Sequence, residues 1–459
     1  MRTSYLLASA TLVGLAVAAQ VGCGGGDTSG SGGGTTTTTT GGGGATSSGG
    51  TTSSGGASGG TTNSGGTTAT GGPFTSEGTS VYETQTSLAA DTQGGVVATW
   101  IAFNADNTSV IGYAVSRDAG KHWTSPKTIA TPNSGLASNP VVVADSQGRF
   151  TLAWLGFKVD FNNPDEHVYV SRLDNATDTF AAPVVASDDD GKTTYDLDKP
   201  SLAVDATDAI LLTWADFTGS GSGTPVSTKF ARSADGQTFQ RVTVTNDATF
   251  GNLASLCVDT SAGASATLYL VHLGANGTVT LRTSVNQGQS WEIRPTPAVN
   301  TVFQDITCAV KGTKLWIAYA SGTAVFTPGQ DSPGDAVEVM YSANGGTSFD
   351  APVKVSDGGA GVQYLYPKLV RAPSGKIEVV YYQGTLGAEA KMTLASSPDG
   401  KTWSTSPIAT AGTFTIDRTI ASWLGAYVGF AAPGDKGYTS YADNSSNKAH
   451  IAFAEIALP

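Results

Sequence analysis

Residues 116–123 read SRDAGKHW. Asp118 stands four positions before His122, with Ser116 just upstream, and these are the letters of a hydrolytic cluster. The rest of the chain decides otherwise. The stretch recurs as SVNQGQSW at 284–291 and SANGGTSF at 342–349. Looser copies are SADGQTF at 233–239 and SSPDGKTW at 396–403, and SRLDNATDTF at 171–180 is a degraded one. Asn286 and Asn344 take the place of Asp118. Their side-chain oxygens still accept bonds from turn N–H groups, but an amide is no general acid. His122 gives way to Ser290, Ser348 and Thr402, so no imidazole chemistry repeats. Glycine persists as Gly120, Gly288, Gly346 and Gly400 and supplies the positive φ of a short hairpin. Trp123, Trp291, Phe349 and Trp403 close the copies with a ring suited to packing. Ser116, Asp118 and Asp399 therefore read as parts of a hairpin staple.

A second series runs in step with the first. GVVATW, RFTLAW, AILLTW, TLYLVH, KLWIAY, IEVVYY and KGYTSY are short runs rich in β-branched and aromatic residues, which read as strands. They end at Trp100, Trp154, Trp214, His272, Tyr319, Tyr382 and Tyr441, at intervals of 54, 60, 58, 47, 63 and 59. That period fits one four-stranded propeller blade. Most are preceded by another run (NPVVVAD, KPSLAVD, ASLCVD, DITCAV, YPKLVR). Each unit then reads as strands A, B and C, the turn, and strand D. The seventh unit has three strands before the chain ends, and its fourth is expected from the start of the domain, around Thr79 to Glu83. A ring closed by an N-terminal strand leaves no long free edge.

The S-x-D-x-G-x-x-W turns resemble the Asp-box, or BNR repeat, of sialidase-type β-propellers, over about residues 79–459. The resemblance implies an all-β propeller of four-stranded antiparallel blades. Sialidases have six, so the expectation is seven blades with six as the alternative. It also implies that the staples lie on the face opposite the ligand site. On the ligand face that family uses three arginines for a carboxylate, a tyrosine nucleophile activated by glutamate, and an aspartate acid.

The N-terminus reads as an export signal. Met1-Arg2 is a positive start and Tyr5 to Ala19 is apolar, too short to span a bilayer comfortably. Gln20-Val21-Gly22-Cys23 resembles the lipobox of bacterial lipoproteins, which implies cleavage after residue 22 and a lipid on Cys23. An ordinary secretory signal is the alternative, and both export the chain. Gly24 after the cysteine implies the outer membrane or cell surface. Residues 23–72 are almost only Gly, Ser and Thr, too poor in apolar groups to fold, and read as a flexible tether. The domains expected are thus 1–22 signal, 23–72 tether and 73–459 propeller. The net charge of −12 argues against nucleic acid and against docking on anionic lipid through basic side chains, so membrane contact is left to the anchor. A monomer is expected.

The candidate site residues follow from the strand pattern. On the face where D–A and B–C loops meet, only Arg418 in TIDRTIAS begins an A strand, so an arginine triad is not expected. The same loops are acidic. Asp198, Asp305 and Asp417, with Arg418, are the candidates for catalysis, since paired carboxylates hydrolyse neutral glycans. Asp198-Lys199-Pro200 opens an A strand near the axis and reads either as a site contributor or as a buried ion pair trimming the channel. Lys199, Asp216, Tyr195, Tyr364 and Tyr366 are the candidates for ligand binding. Asp188, Asp189 and Asp190 offer oxygens to Ca2+, against a plain solvated acidic loop. His122, His167, His272 and His450 show no ligand-like spacing, and no other cofactor is expected. Cys257 and Cys308 sit in neighbouring A strands, either as a disulfide or as two buried thiols. The leading expectation is recognition of a glycan or surface-protein ligand without catalysis. A glycoside hydrolase, either a divergent exo-α-sialidase or a carboxylate-pair enzyme, is the alternative, and an envelope scaffold the third.

Overall fold

The computed structural model describes Ser76 and residues 80–106, 108–132, 135–158, 165–187, 197–217, 227–245, 252–274, 277–302, 304–323, 333–385, 389–408, 414–415, 424–446 and 448–459. Seven antiparallel sheets follow one another along the chain. The fold is a seven-bladed propeller. The first blade is Tyr82–Ala90, Val96–Phe103, Ser109–Ser116 and Lys127–Ile129, paired in chain order. The innermost strands of the next six are Leu136–Ala144, Leu197–Val204, Asn252–Val258, Thr307–Lys311, Gln363–Arg371 and Gly429–Ala431.

The seven aromatic or histidine positions that mark the sequence period share one fate. Trp100, Trp154, Trp214, His272, Tyr319, Tyr382 and Tyr441 are all buried, at 0–2% exposure. Each lies within a second strand, where its side chain fills the wedge between blades. Truncating such a ring costs about 3–5 kcal/mol. The period in the sequence is thus the period of inter-blade packing.

The turns act on the neighbouring blade. Ser116 Oγ donates to Asp118 Oδ1 at 3.0 Å and accepts from Gly120 N–H at 2.9 Å. Asp118 Oδ1 accepts from His122 N–H at 2.8 Å, and Trp123 Nε1 donates to Gly120 O at 3.0 Å. Asn286 makes the same bond to Ser290 N–H at 3.0 Å, and Asn344 to Ser348 N–H at 2.9 Å. Gly120, at φ +79°, would place an added Cβ 2.5 Å from Phe453 of the last blade. A Cβ on Gly288 would land on Phe230, and one on Gly346 on Leu281, in each case in the preceding blade. Trp123 meets Phe453 edge-on at 4.7 Å, and Trp291 meets Phe230 at 5.3 Å. The turns at Ser233 and Ser397 are one residue tighter. There Asp235 and Asp399 directly precede Gly236 and Gly400, and each carboxylate accepts two N–H bonds at 2.8 Å. The degraded copy is built differently: Asp174 and Thr179 pair in a small hairpin, and its Asp178 takes Arg117 from the first blade at 2.6 Å.

Blades are also bolted near the axis. Ser87 Oγ accepts from Val142 N–H at 3.1 Å, Ser201 Oγ from Leu256 N–H at 3.3 Å and Thr307 Oγ1 from Leu369 N–H at 3.0 Å. Between the fourth and fifth blades the link is covalent. Cys257 and Cys308 form a disulfide across a Cα–Cα distance of 6.0 Å.

Ring closure differs from the sequence expectation. Residues from Tyr82 onward belong to the innermost strand of the first blade, where Tyr82 pairs with Phe103. Among the described residues the last sheet keeps three strands, Gly429–Ala431, Lys436–Asp443 and His450–Ala457. Its outer edge is met by Ser76, which donates N–H to Ile451 O at 3.0 Å and accepts from Ile451 N–H through Oγ at 2.8 Å. Glu83 N–H continues the seam to Ala449 O at 2.7 Å. The contribution to the seventh blade therefore includes Ser76, upstream of the segment expected, as well as Glu83 within it.

Candidate axial site

Five of the innermost strands break register near their start. Each break holds a non-glycine residue at positive φ: Gln85 (48°), Asn139 (52°), Lys199 (48°), Leu253 (54°) and Tyr366 (56°). A bulge re-aims a side chain. At Lys199 the consequence is chemical: the ammonium group lies 5.4 Å from the centroid of the Tyr427 ring.

Around the axis a residue from each of the seven blades borders one cavity of about 40 Å³, from Ser87 in the first through Lys199, Asp305 and Lys368 to Tyr427 in the last. Asp198 sits behind Lys199, buried at 7% exposure. Its Oδ1 accepts from Asn139 Nδ2 at 2.9 Å and from the Lys199 N–H at 2.9 Å, and its Oδ2 accepts from Asn252 Nδ2 at 3.2 Å. Asp305 is surrounded by protein but keeps part of its surface on the cavity. Burial raises its carboxyl to about 6, Lys199 and Lys368 pull it down, and Asp198 pushes it up. Burial lowers the Lys368 ammonium, against the attraction of Asp305. Burial also lifts the Tyr427 hydroxyl well above its ordinary value, and Asp305 and Asp198 add to this.

The structure thus brings together Asp198, Lys199 and Asp305, and adds Lys368 and Tyr427, which sequence reasoning missed. A signal for Lys368 was present. In KPSLAV and YPKLVR it aligns with Ser201, whose hydroxyl bolts the next blade. Other candidates lie elsewhere. Asp216 is buried at 3% exposure beside Ser227 at 3.4 Å and Lys229 at 3.7 Å. Tyr364 and Tyr366 are buried at 0 and 3% exposure, and their rings pack edge-on against Tyr381 and Tyr382, so neither offers an open face to a sugar. Asp417, Arg418, Tyr195, Asp188, Asp189, Asp190 and Cys23 fall outside the described residues. Among the described residues no group of three or more His, Cys, Asp or Glu side chains is placed to hold a metal ion.

None of the described arginines borders the 40 Å³ cavity. Arg149 binds Asp145 at 2.6 Å, Arg232 binds Asp205 at 2.8 Å and Arg294 binds Glu292 at 3.1 Å. Arg241 donates to Ala186 O at 2.9 Å, and Arg282 donates to His272 Nε2 at 3.4 Å. A tyrosine–glutamate bond does exist, Tyr319 to Glu338 at 2.7 Å. Tyr319 is wholly buried between blades, and burial raises its hydroxyl far above the ordinary range, so it is no nucleophile.

No family model matches the chain, and no curated protein matches it. Among solved structures, similarity is found to the leech intramolecular trans-sialidase complexed with 2,7-anhydro-Neu5Ac, at 13% identity over 69% of this chain and 67% of that one, with a TM-score of 0.47. The Hadza microbial sialidase Hz136 gives 16% identity over 76% and 74%, with a TM-score of 0.46. A protein of unknown function from Dyadobacter fermentans gives 14% identity over 82% and 95%, with a TM-score of 0.45. Identities this low carry no chemistry from one chain to another.

Proposed function

We propose that this is an exported, lipid-anchored surface protein whose Asp-box propeller recognises a glycan or a protein ligand at the axial face without catalysing a reaction. The observation that carries the reading is the axial cluster itself. Asp198 is immobilised by three N–H donors, Lys199 lies against Tyr427, and none of the described arginines that a carboxylate clamp would need borders this cavity. Such a site presents charged groups held by fixed partners beside the axis, which serves recognition.

A glycoside hydrolase is the second reading, and one observation favours it. Asp198 and Asp305 are two nearby carboxyls in different environments, and that of Asp305 is held at about 6. A glycan and surface-protein array probed with the whole protein tests recognition. Saturable binding that Lys199→Ala weakens about tenfold supports it. An array blank for both ligand classes leaves the scaffold reading in its place.

A further inference from the structure

Each innermost strand pairs on one side only, so its other edge faces the axis. Beyond the Lys199–Asp305 level, towards the face of the staple turns, the channel widens into a second cavity of about 410 Å³. That volume suits a small ligand. It is bordered by the ends of five consecutive innermost strands, with Val143, Val204, Val258 and Val370 and the Cys257–Cys308 disulfide in its wall.

One position breaks the pattern. Pairing register makes Ala90, Ala144, Val204, Val258, Val310 and Arg371 equivalent, and by sequence Ala432 follows in the last blade. Six blades carry a small aliphatic residue there, and the sixth blade carries a guanidinium. Arg371 borders the cavity and has no hydrogen-bond or ion-pair partner among the described residues. The other cation of the rim, Lys311, is held by Asp259 at 3.3 Å. A half-buried guanidinium with no counter-ion among the described residues has lost hydration without a return from them. A carboxylate restores the balance with two parallel charge-assisted bonds.

We propose that this mouth of the channel binds a small organic carboxylate with an aliphatic body, the carboxylate on Arg371 and the body against the valine and disulfide wall. A cation is repelled there, and a neutral hydrocarbon leaves the guanidinium bare. The site lies on the opposite side of the axial cluster from the ligand face of the proposed function, and neither reading depends on the other.

The test is calorimetric titration of the whole protein with octanoate, octylammonium and acetate. Octanoate binds saturably, one per chain, acetate binds more weakly, and octylammonium does not bind. Arg371→Gln, which keeps the reach and removes the charge, weakens octanoate about tenfold, and Arg371→Lys weakens it less. Lys199→Ala leaves octanoate binding unchanged, which separates this site from the axial one. The proposal is overturned by the absence of saturable octanoate binding, by equal binding of octylammonium, or by unchanged octanoate affinity in Arg371→Gln. The last is read alongside a thermal melt, and the octylammonium comparison on the unaltered protein stands whether or not the variant folds.

Discussion

At the scale of single residues, glycine in the staple turn answers to two demands at once. Gly288 sits at φ +88°, and an added Cβ would land on Phe230 of the preceding blade. Gly288→Ala is therefore expected to cost about 2 kcal/mol or more in urea unfolding, since backbone strain and overpacking add. Asn286→Asp preserves the acceptor for Ser290 N–H and should change stability by less than about 0.5 kcal/mol. A buried acid gives a second residue-scale expectation. Glu378 is fully buried, and burial pushes its carboxyl up to about 7, while its bond to Ser396 opposes this. Below its ordinary value near 4.5 the group is protonated in both states. As pH rises towards 7 the unfolded chain releases the proton while the folded chain keeps it, so stability falls across that window. Glu378→Gln should flatten the fall, and a melt series from acid to neutral pH reads it directly. Asp305, raised to about 6, acts with the same sign over a narrower window.

At the scale of elements, what the sequence carried was what the backbone itself needs. The Ser–Asp/Asn–Gly–aromatic spacing is visible because the hairpin bonds require those atoms, and the 47–63-residue period is visible because each blade must bury one large ring. The register breaks at Gln85, Asn139, Lys199, Leu253 and Tyr366 were not legible, because five unlike side chains occupy one backbone geometry. Lys368 and Tyr427 were missed for a related reason: an axial site is assembled from one residue per blade, with no local spacing to betray it. The cysteines were legible as neighbours in adjacent strands, and their pairing depended on how close those strands come. The disulfide closes 51 residues of chain, so Cys257→Ser with Cys308→Ser should lower unfolding stability by about 4 kcal/mol. Denaturant melts of the variant and the oxidised protein give that difference, and equal melts would mean that the hydroxyl bolts alone hold the ring.

At the scale of the whole molecule, the two faces of the propeller carry different kinds of residue. The staple turns lock their own blades to the ones before them, and the ion pairs of Arg117, Arg149 and Arg232 cluster with them. The axial cluster of Asp198, Lys199, Asp305 and Lys368 faces the other way along the channel. SRDAGKHW, with its nearby Asp118 and His122, therefore lies on the face away from the axial cluster, and its chemistry is that of a clamp between blades. Recognition without catalysis is the central claim, and hydrolysis measures it most directly. Fluorogenic sialosides and neutral glycosides are to be incubated with the whole protein and with Asp305→Asn and Arg418→Ala. The account predicts no release above the buffer blank for any of them. Turnover by the unaltered protein that is lost in either variant would contradict it.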